Sequence, residues 1–190
     1  YPALAVGPNG VAHIAYADGA GGWNDAQSIY YRSSTNWSNA VVVKTNGGDS
    51  FFNRYADIVV DSNNTAHIAW VNRNNTDCYA NSYNMMYASS SAFTNINLYF
   101  TCNVSGRTNY KPALAVNSLN QVYALWEYVQ NNAVYGKFSS STNWGDVAQF
   151  SYTEAPGRPV TTLTSVAAGF DSGDRLHILH ANNCISFIEF

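Results

Sequence analysis

Apolar residues along this chain come in short runs of about five to eight positions, rich in Val, Ile, Tyr, Trp and Ala, with alternate positions apolar. No useful window shows the three-to-four spacing of an amphipathic helix. The runs come in pairs. "YPALAV" and "VAHIAYAD" are joined by "GPNG", and matching pairs are joined by "DSNN", "NSLN" and "DSGD". Gly, Asn and Asp at such points favour tight hairpin turns. The pattern therefore predicts antiparallel strands throughout.

The pairs repeat. "YPALAVGPNGVAHIAYAD" from Tyr1 matches "YADIVVDSNNTAHIAWVN" from Tyr55, "KPALAVNSLNQVYALWEY" from Lys111 and, more loosely, "LTSVAAGFDSGDRLHILHAN" from Leu163. A period of about 54 residues is that of a blade-sized unit. The second half of each unit recurs too, with a Ser/Thr/Asn-rich turn ending in Trp37, Phe93 or Trp144. Four strands per unit, called a to d, read as the blades of an all-β propeller, a single domain. The blades are residues 1–54, 55–109, 110–160 and 161–190. The last holds strands a, b and c and lacks its outer strand. The sequence leaves three arrangements open: a piece of a longer propeller, a pair of copies closing one ring, or a four-bladed ring with an open edge. An edge made of "ISFIEF" would invite pairing, so a strand from this or another chain is expected to complete the fourth blade.

Composition narrows the partners. Charged residues make up 11% of the chain and the formal net charge is -3, against a charged share of about 25% in ordinary soluble domains. That leaves no basic field for nucleic acid and no polybasic patch for anionic lipid, and no apolar run is long enough for membrane insertion. Asn-x-Ser/Thr sequons at Asn36, Asn63, Asn74 and Asn103 suit glycosylation of a secreted or cell-surface protein.

The repeats Pro-x-Leu-Ala-Val, His-Ile-Ala-Trp and Tyr-Arg-Ser-Ser with a turn ending in Trp resemble the sialidase-like, bacterial-neuraminidase-repeat (BNR-like) β-propeller family over nearly the whole chain. That family's Asp boxes fall in the c–d turn. Here the turns read "SSTNW", "SSSAF" and "SSTNW", keeping serines and aromatic but losing aspartate and glycine. The resemblance implies a propeller whose d–a and b–c loops share the functional face, and an arginine before strand a that grips a carboxylate. Arg54 holds that position, with Ala56 in place of the motif's proline; Arg107 and Arg158 recur near it in the next units. Three guanidiniums could form a clamp, or each could cap its strand. A sialidase also needs an acid/base carboxylate and a tyrosine backed by a glutamate. The candidates are Glu127 and Tyr128, though neighbours on a strand point to opposite sides.

Other candidates come from the residues themselves. Trp23, Asn24 and Asp25 in a glycine-rich loop, with Tyr79 and Tyr83, combine an aromatic plane with amide and carboxylate groups, which suits a sugar ring. His13, His67 and His177 recur at one strand b position that Tyr123 fills in the third unit, which points to packing with a polar handle and not to a metal. No cofactor is indicated. Cys78 and Cys102 are the cysteine pair within one blade, and a bridge closing that loop would contribute roughly 3 kcal/mol. The sequence thus points to an extracellular recognition or structural module for glycans or a surface assembly. A divergent sialidase-like glycoside hydrolase and a subunit completed by strand exchange are the alternatives.

Overall fold

The computed structural model describes residues 2–18, 28–45, 52–73, 83–99, 108–130, 133–154, 166–181 and 185–189. They form strands and turns, with no helix among the described residues. Sheet 1 holds β1 (Ala3–Val6), β2 (Ala12–Asp18), β3 (Ser28–Ser33) and β4 (Val41–Lys44). Sheet 2 holds β5 (Phe52–Val60), β6 (Ala66–Arg73), β7 (Tyr83–Ser89) and β8 (Ile96–Tyr99). Sheet 3 holds β9 (Thr108–Val116), β10 (Val122–Gln130), β11 (Ala133–Ser140) and β12 (Asn143–Glu154). Sheet 4 holds β13 (Val166–Phe170), β14 (Leu176–Ala181) and β15 (Ile185–Glu189). Every sheet is an antiparallel meander in chain order.

The period-two pattern explains the packing, because alternate side chains face opposite sides of a sheet. Sheets 2 and 3 pack one face on the previous sheet and the other on the next, while sheets 1 and 4 each pack one face on their single neighbour among the described residues. Ala15 and Ile29 of sheet 1 share a core with Ile58, Ile68 and Trp70 of sheet 2. Ala69, Val71 and Met85 of sheet 2 meet Leu114, Ala124 and Trp126 of sheet 3, and Leu125 of sheet 3 meets Val166 and Ile178 of sheet 4. The aromatic ending each c–d turn joins in: Phe93 lies 5.3 Å from Tyr31 and Trp144 4.6 Å from Tyr87, both on the preceding sheet. Strands of neighbouring sheets meet along the arc from sheet 1 to sheet 4, and no comparable contact joins sheet 4 back to sheet 1 among the described residues.

One end of the arc is built from repeated polar turns. Asp61, Asn117 and Asp171 each accept two backbone N–H bonds across their hairpin, from Asn63 and Thr65, Leu119 and Gln121, Gly173 and Arg175. The fourth turn residue is left-handed in all four units, at Gly10, Asn64, Asn120 and Asp174. Asn64 accepts from Asn9 N–H of the previous sheet at 3.1 Å, and Asn120 accepts from both N–H and hydroxyl of Ser62. Asp174 does the same for Ser118, which holds its carboxyl below the usual range. The serines kept from the Asp-box pattern cap strand b: the hydroxyls of Ser34, Ser90 and Ser141 accept from Ala12, Ala66 and Val122 N–H at 2.9–3.0 Å. Asp171 and Asp174 thus belong to hairpin chemistry, and the recurring serines to strand capping.

The strands at the opposite end run further than the repeat suggested. β5 begins at Phe52 and β9 at Thr108, so Arg54 lies inside a strand and not in a loop. Pairing continues because each strand absorbs an irregularity, between Arg54 and Asp57 in β5 and between Tyr110 and Ala113 in β9. Tyr55 and Lys111 take positive φ of 54° and 24° there, a conformation that non-glycine residues adopt only when the surroundings enforce it.

Candidate functional site

The bulge in β5 has a consequence for side-chain direction. Residues three apart on a regular strand point to opposite faces. Here Arg54 pairs with Val71 and Asp57 with Ala69, two positions apart on β6. The extra residue therefore brings Arg54 and Asp57 to the same face of sheet 2, as bulges beside functional sites often do. Tyr83 shares that face, packed against the core between sheets 2 and 3, in which Tyr128 is buried.

Asp57 departs from the repeat. The equivalent positions are Ala3, Ala113 and Ala167, small residues on the innermost strands. Its carboxylate accepts from Leu114 N–H of β9 at 2.7 Å. Burial holds its carboxyl above the ordinary range, against the opposing pull of the Leu114 and Ile58 N–H groups. Asp57 lines an open cleft of about 280 Å³ between the inner strands of sheets 2, 3 and 4, walled by Pro112, Ala113, Val166 and Ala167. The arrangement places one carboxylate among small apolar side chains, with Arg54 further along the same face of sheet 2.

Glu127 and Tyr128 separate as strand neighbours must. Tyr128 enters the core toward sheet 2 with Lys137 Nζ 5.9 Å from its ring centroid. Glu127 is paired across from Gly136 and Tyr110 and is 1% exposed. The two cannot act together on one ligand atom from this backbone. Sheet 2 adds a buried amide layer toward sheet 1: Asn53 Oδ1 accepts from Trp70 Nε1 at 3.0 Å and from Asn72 Nδ2 at 2.8 Å.

The repeated histidines serve their own sheets. His13 Nδ1 lies 2.6 Å from Tyr31 OH, and His67 Nδ1 2.6 Å from Tyr87 OH. His67 and His177 reach Asp61 and Asp171 with Nε2 at 3.2 and 3.1 Å. Gly7 stands where those aspartates would be in sheet 1, so His13 Nε2 has no hydrogen-bond partner among the described residues. Burial lowers the pKa of His13 and His67, Asp61 pulling the latter partly back. Among the described residues no group of three His, Cys, Asp or Glu could hold a metal ion.

Trp23, Asn24, Asp25, Tyr79, Arg107, Arg158, Cys78, Cys102, Asn74 and Asn103 lie outside the described residues. Asn36 and Asn63 are exposed in turns. Asp57 and Asn53 were not among the candidates read from the sequence. The signal for Asp57 was a charged residue at a position that alanine fills in the other three units.

No protein-family model matches the sequence, and no curated protein matches it. Solved structures do match. An ulvan lyase of polysaccharide lyase family PL25, bound to -[GlcA(1-4)Rha3S]-, superposes with a TM-score of 0.57 at 12% identity, over 100% of this chain and 50% of its own. A Penicillium chrysogenum alpha-L-arabinanase complexed with arabinobiose gives 0.58 at 8% identity, over 95% and 61%. A thermostable family-43 glycoside hydrolase gives 0.51 at 13%, over 94% and 64%. The chain has a β-propeller fold. Its sheets are blades, and it spans about half to two thirds of the length of these carbohydrate-active propellers. At such identities the likeness extends to the fold alone. In propeller terms, β1, β5, β9 and β13 line the axis, the hairpin turns form one rim, and Arg54 and Asp57 lie toward the other.

Proposed function

We propose that this β-propeller segment is a glycan-recognition module, exported to the cell surface or medium, and that it takes a saccharide at the rim formed by the loop ends of blades 2 and 3. The observation carrying this reading is the β5 bulge, which brings Arg54 and Asp57 to one face where the other units keep alanine at the Asp57 position. A guanidinium grips a carboxylate through two parallel bonds, and an aspartate accepts from sugar hydroxyls. An acidic saccharide fits this pair best. The ulvan lyase was solved with a glucuronate-containing ligand, which makes uronate polysaccharides the first ligands to try, with sialosides beside them because of the BNR-like repeats. Trp23, Asn24, Asp25, Tyr79, Arg107 and Arg158 are the further contacts proposed on this rim. Titration of the full chain against such glycans tests the reading. Arg54→Ala and Asp57→Asn are expected to weaken binding at least about tenfold, and Trp23→Ala to weaken it as well; unchanged binding in all three would remove the site.

A second reading, a divergent glycoside hydrolase, is favoured by Asp57, because burial raises its pKa, the direction that suits a general acid. It requires turnover that Asp57→Asn abolishes while binding persists. Completion of blade 4 by a strand from another chain is the third, motivated by β15, which ends sheet 4 among the described residues. Concentration-dependent assembly lost on charged substitutions within Ile185–Glu189 would support it.

A further inference from the structure

Side chains along β5 alternate between the two neighbouring blades except at one step. Ala56 and Ile58 belong to the core shared with blade 1, while Tyr55 packs against the core shared with blade 3, on the face that Arg54 and Asp57 take. Arg54 and Tyr55 are thus consecutive residues on one face, and that doubling is the bulge. A regular strand with Asp57 kept in place would slip by one residue: Arg54 would pair with Asn72 and turn toward blade 1, and Asn53 would turn toward blade 3. Tyr55 at φ 54° prevents the slip, but a non-glycine residue stays there only when its neighbours enforce it.

The enforcing contacts lie on the opposite face. Asn53 is fully buried, and its Oδ1 accepts from Trp70 Nε1 at 3.0 Å and from Asn72 Nδ2 at 2.8 Å. Trp70 itself stands opposite the bulge, between Ala69 and Val71, the partners of Asp57 and Arg54. In the slipped strand these two buried donors would lose their acceptor and face a guanidinium, which only donates. The amide layer toward blade 1 therefore decides which way the cation on the next residue points. The same residue types stand at the second bulge: Asn109 and Trp126 hold the equivalent places in unit 3, where β9 pairs irregularly between Tyr110 and Ala113. Unit 4 has His180 in the tryptophan's place, and β13 pairs with β14 without interruption from Val166 to Phe170.

We infer that Asn53 is a positioning residue of the Arg54–Asp57 site: clasped by Trp70 and Asn72, it holds the β5 bulge and so keeps the guanidinium on the face of the carboxylate. The consequence for binding rests on the proposed glycan site, whereas the strand geometry stands without it.

Nuclear magnetic resonance of the full chain tests this by reading which residue of β6 Arg54 pairs with, alongside titration with a glucuronate-containing oligosaccharide and circular dichroism for folding. Asn53→Leu keeps the side-chain volume and removes the acceptor. It should move the pairing of Arg54 from Val71 to Asn72 and weaken binding at least about tenfold, as Arg54→Ala does. Trp70→Phe and Asn72→Ala each remove one donor and are the milder forms, expected to populate the slipped pairing in part and weaken binding several-fold. Arg54 still paired with Val71 in every variant that folds overturns the inference, and lost stability with unchanged pairing marks a merely structural amide and overturns it equally. An unaltered chain that does not bind the oligosaccharide removes the glycan reading, while the pairing of Arg54 in the variants still decides the role of Asn53.

Discussion

The two rims of this propeller are made by different chemistry. At the turn rim the same bonds recur blade after blade: an Asx turn, a left-handed fourth residue accepting from the preceding blade, and a serine capping strand b. Toward the loop rim the bulge of β5 recurs in β9, but among the described residues the charged side chains around it do not repeat. Blade 2 has Arg54 and Asp57 on one face with a buried Asn53–Trp70–Asn72 network on the other, whereas blade 3 has the buried Glu127 and no aspartate at the equivalent of Asp57. Repetition marks what holds blades together, because every junction poses the same problem. Departure from repetition marks where a blade does something of its own.

Substitutions at the two rims should separate these roles. Trp70→Ala should have the largest effect on stability. It removes a fully buried indole and leaves Asn53 with one donor fewer, for a loss of about 3–5 kcal/mol in chemical denaturation. Asp61→Ala should come next. It strips the acceptor from Asn63 and Thr65 N–H and the partner from His67, and should cost about 2 kcal/mol. Asn120→Gly keeps the left-handed backbone but loses both bonds from Ser62, and a loss of about 1 kcal/mol is expected at this exposed junction.

The smallest effect is a change of slope with pH. Burial keeps the folded pKa of His67 below its ordinary 6.5, so on acidification the unfolded chain binds that proton first. The stability from neutral His67 is complete above about pH 6.5 and is lost as pH falls through that value toward the folded pKa. His67→Gln should flatten this part of the curve, leaving the parallel contribution of His13. A slope below pH 6.5 unchanged by His67→Gln would show that the histidine is not held neutral.

The fold was legible because the repeat and the period-two pattern state it twice: each strand alternates, and each alternation recurs about a period later. The turn residues were legible as turns, though the bonds between blades were not, since they join residues 55–58 positions apart through single atoms. The site was harder to read. Arg54 stood out through the family's spacing, yet its direction depends on a bulge at Tyr55 and Ala56 that no pattern announces. Asp57 was hidden inside "YADIVV", where one polar residue reads as an interruption of the apolar run and not as a carboxylate beside a cleft. The histidines already read as packing residues with a polar handle, because tyrosine fills the same position in the third unit, but their partners Tyr31, Tyr87, Asp61 and Asp171 were not legible.

The central claim is that ligand recognition belongs to the loop rim of blade 2, and one paired measurement tests it most directly: calorimetric titration of an acidic polysaccharide into Arg54→Ala and Ser62→Ala. The account predicts that Arg54→Ala weakens binding at least about tenfold, or 1.4 kcal/mol, while Ser62→Ala at the turn rim binds as the unaltered chain does. Equal binding by both variants, or a loss confined to Ser62→Ala, would contradict it.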